Sequence, residues 1–239
     1  MDGPPLTPPR SRVIFAVDIE NSTTRTNAAK GNLRRVMYEL FEQCMQISGV
    51  RETYRDPLVD RGDGILALVH QVDDVPKTLF LDTVVPLLAS LLTAHAQSFP
   101  DERMRMRSVL HAGEVHHDGY GYFGESIDVA CRLLEAPDLK QRFREIEEPL
   151  ILIVSNHIHE TVVRHGYQGI DEGTYLPGPL VRVGTQRFRG WIHVPAGDDE
   201  LRPHAWPVVR VHSQPSYRPP EEPGPFALRP PVLTEERSA

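Results

Sequence analysis

Residues 12–19 read Arg-Val-Ile-Phe-Ala-Val-Asp-Ile, and this run constrains the chain more than any other feature. It is rich in Val and Ile, too short to be a helix, and followed at once by the polar Glu20-Asn-Ser-Thr-Thr. Such a run is a buried strand that delivers polar side chains at its C-terminal end. The rest of the chain has to cover it. Leu33, Val36, Met37, Leu40, Phe41 and Cys44 recur at three- and four-residue steps, an apolar helical stripe that Gly49 stops. Two β-runs, Arg51–Tyr54 and Ile65–His70, flank Asp60-Arg61-Gly62-Asp63-Gly64, and Asp-Gly between strands signals a hairpin. A second helix spans Val75–Ser98, with Leu81, Val84, Val85, Leu88, Leu91 and Leu92 on one side. A strand at Met104–His111 turns through His117-Asp118-Gly119, and a third helix covers Ser126–Glu135. Apolar runs at Pro149–Val154, Val181–Val183 and Trp191–Val194 add strands. The order βαββαβ with later additions predicts an α+β fold: helices on one face of a mostly antiparallel sheet.

Proline marks the ends. Of 22 prolines, four lie in the first nine residues and nine after Gly197, so the reading is a flexible segment at 1–11, one folded domain over 12–196, and a disordered tail over 197–239. The longest apolar stretches, such as Val84–Leu92, are interrupted well before ~20 residues, which predicts no membrane span. Residues 1–12 lack the apolar core of a secretory signal. Two cysteines, Cys44 and Cys131, both in predicted helices, indicate no disulfide framework and place the chain in a reducing cytoplasm. The net charge of −7 argues against a nucleic-acid binder. No Gly-rich Lys-Ser/Thr phosphate loop occurs, and His157, His159 and His165 make no zinc signature with the cysteines.

Asp18 ends the first strand and Asp63 sits in the hairpin. If the strand lies beside the hairpin, two hard carboxylates meet, a donor set suited to Mg²⁺ or Mn²⁺ that also bridge to substrate phosphates. The carbonyl of Ile19 offers a neutral third ligand. Turn aspartates are common, so the case needs other residues. Asp128 and Arg132, in Gly124-Glu-Ser-Ile-Asp128-Val-Ala-Cys-Arg132-Leu, are four apart and share a helix face; the arginine's planar fork suits a phosphate. Arg103, Arg105 and Arg107 alternate along the strand that leads to His111-Ala-Gly113-Glu. Glu20–Thr24 reads as a polar turn into a helix, whose N-terminal amides accept anions.

Val13–Glu20, Arg61–Val69, Arg107–Glu114 and Gly124–Leu133 resemble, in order and spacing, the four signature blocks of the class III adenylate/guanylate cyclase homology domain. The resemblance spans roughly residues 12–195 and implies a ferredoxin-like core. It also implies that Asp18, the Ile19 carbonyl and Asp63 hold two Mn²⁺ or Mg²⁺ ions, that Arg107 contacts the triphosphate, and that Arg132 stabilises the α-phosphate. Asp128 stands where the family has a ribose-holding asparagine. The family's site lies between two cyclase domains, so a homodimer is implied.

Departures from the pattern bear on the base. The two positions that read a purine in the family hold Val59 and Gly121, which carry no polar side chain. The late phosphate-clamping lysine is replaced, if at all, by Arg187 or Arg189. A stand-alone chain with Asp-Arg-Gly-Asp-Gly and such a pocket is similar to the pyrimidine cyclases of bacterial anti-phage defence, called Pycsar. The resemblance implies cyclic UMP or cyclic CMP production that activates a separate effector protein, with no nucleic-acid or membrane partner. Tyr54 and Arg61, flanking the hairpin, are the residues expected to read the smaller base. The alternatives are a purine cyclase and an inactive cyclase-like domain that binds a nucleotide as a sensor.

Overall fold

The computed structural model describes residues 8–195. The Pro-rich segments 1–11 and 197–239 lie outside the described residues, except for positions 8–11.

Strand β1 (Arg10–Ile19) lies in the interior of the sheet. It pairs antiparallel with β3 (Gly64–His70) on one side and with β4 (Met106–His117) on the other. Beyond β3 lies β2 (Val59–Asp60), and a short β5 (Tyr122–Phe123) folds back on β4. Beyond β4 come β6 (Leu150–Ser155), then β8 (Gln186–His193) and β7 (Leu176–Val183). Only the β4–β6 pairing is parallel among the described strands. Strands β1 to β4 therefore make the antiparallel βαββαβ unit that the sequence order predicts, widened by three later strands.

Alternation along β1 splits the molecule into two cores. Val13, Phe15, Val17 and Ile19 face α1 (Asn27–Ile47) and the helix Lys77–Ser98. The Phe15 ring lies 5.8 Å from that of Phe41 and 5.6 Å from that of Phe80. Ile14 and Ala16 point the other way, into a core with α4 (Glu125–Leu134) and α5 (Pro137–Arg144). The one-face arrangement holds for the two helices of the βαββαβ unit; α4 and α5 add a second layer on the opposite face. Helix Lys77–Ser98 joins α2 (Lys77–Leu79), a π-helical turn (Phe80–Val84) and α3 (Val85–Ser98). Pro86 accounts for the widened turn, because it has no N–H to donate and its ring would strike the Asp82 carbonyl in a regular one. By length and composition this helix could cross a membrane, which the broken apolar stretches did not suggest. Here 56% of its most apolar window is buried inside the protein.

One expected strand is absent. Glu52–Tyr54 closes a 3-10 turn, and only Arg55 bridges to β3, at Val69. Arg51, Glu52 and Thr53 have no apolar side chain to bury, so nothing holds them against the sheet.

Candidate active site

Asp18 is the penultimate residue of β1, and the register sets it directly between Gly64 on β3 and Arg107 on β4. Alternation puts it on the face shared with α4 and α5. Arg107 grips it with both arms of the guanidinium: Nε lies 2.8 Å from Oδ1 and Nη2 lies 2.9 Å from Oδ2. The Asp18 side chain keeps 16% of its exposure. Burial pushes its carboxyl up to about 6; the Arg107 guanidinium opposes this, Asp63 adds to it, and Lys140 opposes it.

Asp63 reaches the same place on the β2–β3 hairpin. Gly62 takes a φ of 81°, the left-handed conformation that a tight hairpin requires. The Asp60 carboxylate accepts the Gly62 N–H at 2.7 Å and is itself held by Arg34, at 3.1 and 2.5 Å. A Cβ at Gly64 would stand 2.5 Å from the Val17 carbonyl oxygen, so only glycine lets β3 come this close to Asp18. The Ile19 N–H donates to the Asp63 carbonyl at 2.9 Å, and the Ser22 hydroxyl donates to the Asp63 carboxylate. Glu20–Thr24 closes a 3-10 turn over Ser22–Thr24, three residues ahead of α1, which starts at Asn27; its buried Ser22 serves the hairpin.

Arg103, Arg105 and Arg107 form no shared solvated edge, because β4 begins only at Met106 and their partners differ. Arg105 is a hub. It pairs with Glu20 at 3.2 Å, lies 3.9 Å from the centre of the Phe143 ring, and donates to the carbonyls of Phe143, Ile146 and Glu148 at 2.5, 3.0 and 3.2 Å. It thereby ties the C-terminal end of α5 to the residue two positions after Asp18. The same helix carries Lys140, whose charge acts on Asp18. Sequence reasoning missed both roles.

Asp128 and Arg132 are exposed one turn apart on α4, while Ile127, Ala130, Leu133 and Leu134 are buried. No hydrogen bond or ion pair among the described residues joins either of them to Asp18, Asp63 or Arg107. Arg61 points from the hairpin to Glu135, 3.6 Å away. Tyr54 does not join it: its hydroxyl donates to Asp74 at 3.2 Å, and its neighbour Arg55 pairs with Val69. Val69 is five residues along β3 from Gly64, about 17 Å at strand rise. Tyr54 thus lies toward the far end of the sheet from Asp63 in its own chain. Val59 packs half-buried against the second core, and Gly121 turns the β4–β5 hairpin. Arg187 and Arg189 are exposed on β8.

No family model matches this chain, and no curated protein matches it. Solved structures do. An adenylate/guanylate cyclase/hydrolase from Silicibacter pomeroyi is 20% identical, with a TM-score of 0.56 over 79% of this chain and 99% of that one. The catalytic core of a rhodopsin-guanylyl cyclase with converted specificity, in complex with ATPαS, is 15% identical at 0.53, over 80% and 99%. The guanylate cyclase domain of RhGC from Catenaria anguillulae, in complex with GTP, is 15% identical at 0.51, over 78% and 98%. The fold is that of a nucleotide cyclase domain.

Within the cyclase fold, the donors fit a hard divalent ion. Two carboxylates converge beside the main chain of Ile19, and each already binds a hydrogen-bond donor where a metal ion would bind: the Arg107 guanidinium at Asp18 and the Ser22 hydroxyl at Asp63. No cluster of three His, Cys, Asp or Glu side chains forms a metal nest among the described residues. Remaining ligands would have to come from main-chain carbonyls, water and substrate phosphate, as is usual for Mg²⁺. His111 is buried beside Ser155, Nδ1 to Oγ 2.7 Å, with His157 at its edge, and belongs to the packing of β4 on β6. Cys44 and Cys131 are free.

Proposed function

We propose that this chain cyclises a pyrimidine nucleoside triphosphate, UTP or CTP, to its 3′,5′-cyclic monophosphate and pyrophosphate. The convergence of Asp18 and Asp63 on a cyclase fold carries the reading. Divalent ions, Mn²⁺ or Mg²⁺, would be held by Asp18, Asp63 and the Ile19 carbonyl. When bound, they supply Lewis acidity toward the ribose 3′-hydroxyl and the triphosphate. The 3′-oxygen attacks the α-phosphorus and pyrophosphate leaves.

Arg132 would neutralise charge growing on the α-phosphoryl oxygens, a role suited to its exposed guanidinium. Asp128, one turn before it, would hold the ribose. Because neither touches the carboxylate pair in its own chain, a second copy supplies them, and the active form is a homodimer with shared sites. Val59 and Gly121 offer a purine edge no hydrogen-bond partner, which favours the smaller bases; Arg61 remains the residue to read a pyrimidine carbonyl, and Tyr54 could take part only from the partner copy. A cyclic pyrimidine nucleotide would act as the messenger to a separate effector in anti-phage defence. The observation favouring a purine instead is that two similar structures were solved with ATPαS and GTP.

Subunit mixing tests the site. Asp63→Ala and Arg132→Ala should each be inactive, while an exchanged mixture regains roughly a quarter of wild-type turnover, since about half its dimers carry one intact site. No recovery, with subunit exchange shown independently, would place the site within one chain.

A further inference from the structure

Asp18 and Asp63 are held in different ways, and the difference has a consequence. Asp63 accepts from a neutral hydroxyl, that of Ser22, which can turn aside without moving any charge. Asp18 is held by a full cation through two parallel hydrogen bonds. A fork on a carboxylate is among the stronger polar contacts a protein makes. The Arg107 backbone is fixed in β4, paired to β1 at Asp18 and to β6 at Ile151. Only its side chain can yield.

We propose that Arg107 is an exchange residue: in the empty site it neutralises Asp18, and on loading it passes from Asp18 to the substrate's triphosphate. This rests on the metal site proposed above. The fork occupies both oxygens of Asp18, so a divalent ion brought against that carboxylate meets the guanidinium's charge at close range and is repelled by it. Arg107 must therefore give up Asp18 before the ion is held fully, and it then needs another anion. A polyphosphate is that anion. Lys140, without an ion-pair partner among the described residues, reinforces the pull from the same side of the sheet. The two ligands then help each other: triphosphate removes the competitor for Asp18, and the ion frees Arg107 for triphosphate. Such coupling is reciprocal by thermodynamic necessity. The buried pair also protects the empty enzyme, because Arg107 prevents an uncompensated carboxylate from facing the second core.

The test reads binding, not turnover. Mn²⁺ affinity is measured by calorimetry on full-length wild type, Arg107→Gln and Arg107→Lys without nucleotide. Arg107→Gln should bind Mn²⁺ about tenfold more tightly than wild type, within the ~5–150-fold range of site-to-site coupling, with Arg107→Lys in between. Equal or weaker binding by a folded Arg107→Gln would overturn the proposal. Should Arg107→Gln fail to fold, nitrogen-labelled arginine in the wild type decides. Its Arg107 Nε–H resonance, assigned by its loss in Arg107→Lys, should shift as Mg²⁺ saturates, and shift again with inorganic pyrophosphate. An Arg107 signal unmoved by saturating Mg²⁺ overturns the exchange while leaving the metal site standing. Binding of Mn²⁺ that Asp18→Asn leaves unchanged would overturn the metal site as well.

Discussion

Replacing Gly64 by alanine puts a single methyl at the closest approach between the hairpin and the first strand. The new carbon would stand 2.5 Å from the Val17 carbonyl oxygen and 3.2 Å from the Asp18 Cβ. Ordinary contact begins near 3.4 Å, so β3 has to retreat from β1 by roughly 0.9 Å at the pair that carries Asp18. Main chain, not a flexible side-chain end, takes the strain, and overpacking of this kind costs about 1–3 kcal/mol. Turnover should suffer more than stability. The same retreat separates Asp63 from Asp18, and a displacement near 1 Å can cost on the order of 10²-fold in rate. The assay is cyclic-nucleotide formation per folded enzyme, with a thermal melt alongside. Gly31→Ala is the control: it lies in α1 with nothing within 4 Å, and should gain about 0.5–1 kcal/mol and keep full turnover. A folded Gly64→Ala that retains more than half of wild-type turnover would refute the claim that this strand contact sets the carboxylate pair.

Phe15→Ala should cost about 3–5 kcal/mol in denaturant unfolding, because Phe15 is wedged between Phe41 and Phe80 in the first core; a loss under 1 kcal/mol would mean the core collapses to fill the gap. Burial lowers the His111 pKa to about 4 from 6.5, so its neutral form stabilises the fold fully above pH 6.5, and that contribution, about 3 kcal/mol at most, is lost as pH falls through 4. The difference in stability between wild type and His111→Asn should follow that slope, and a pH-independent difference would show that His111 titrates normally. Asp18 has the opposite sign: with its carboxyl raised to about 6, the empty fold loses stability as pH rises from about 4 to 6. Mn²⁺ needs the ionised form, so its increment in melting temperature should be largest above pH 6 and fade below it; an increment that is flat from pH 5 to 8, or that survives in Asp18→Asn, would count against Asp18 as a ligand.

The backbone of this site was legible because it rests on local signals. A β-branched run ending in Asp18 and a Gly-Asp-Gly turn are short-range patterns, and the register that joins them follows from two antiparallel strands with one buried pairing. The helix α5 left no such trace. It has eight residues, opens on Pro137, and buries only Leu139 and Phe143, too few for a period to show. Its position depends on Arg105, whose partners are main-chain carbonyls about forty residues away. Strand β7 was read too short because Pro177 and Pro179 argue against a strand, a conflict that its place at the edge of the sheet resolves. Tyr54 was assigned by closeness in sequence to the hairpin, yet the extended segment between them carries it along β3 rather than across it. Arg107 was recognised as a site residue, but its partner Asp18 is a long-range strand contact that no local pattern reports.

The most direct measurement is product analysis. Purified full-length protein is incubated with Mn²⁺ and each of ATP, GTP, CTP and UTP, and products are separated by chromatography, with Asp18→Ala and Asp63→Ala run beside it. A 3′,5′-cyclic monophosphate and pyrophosphate should form in equal amounts, fastest from UTP or CTP by one to two decades, as expected when a purine leaves a polar group unpaired at about 1–3 kcal/mol. Both variants should give none. No cyclic product from any of the four, or undiminished product from either aspartate variant, would contradict the central claim; ATP or GTP turning over ten times faster than both pyrimidines would keep the cyclase and remove its base preference.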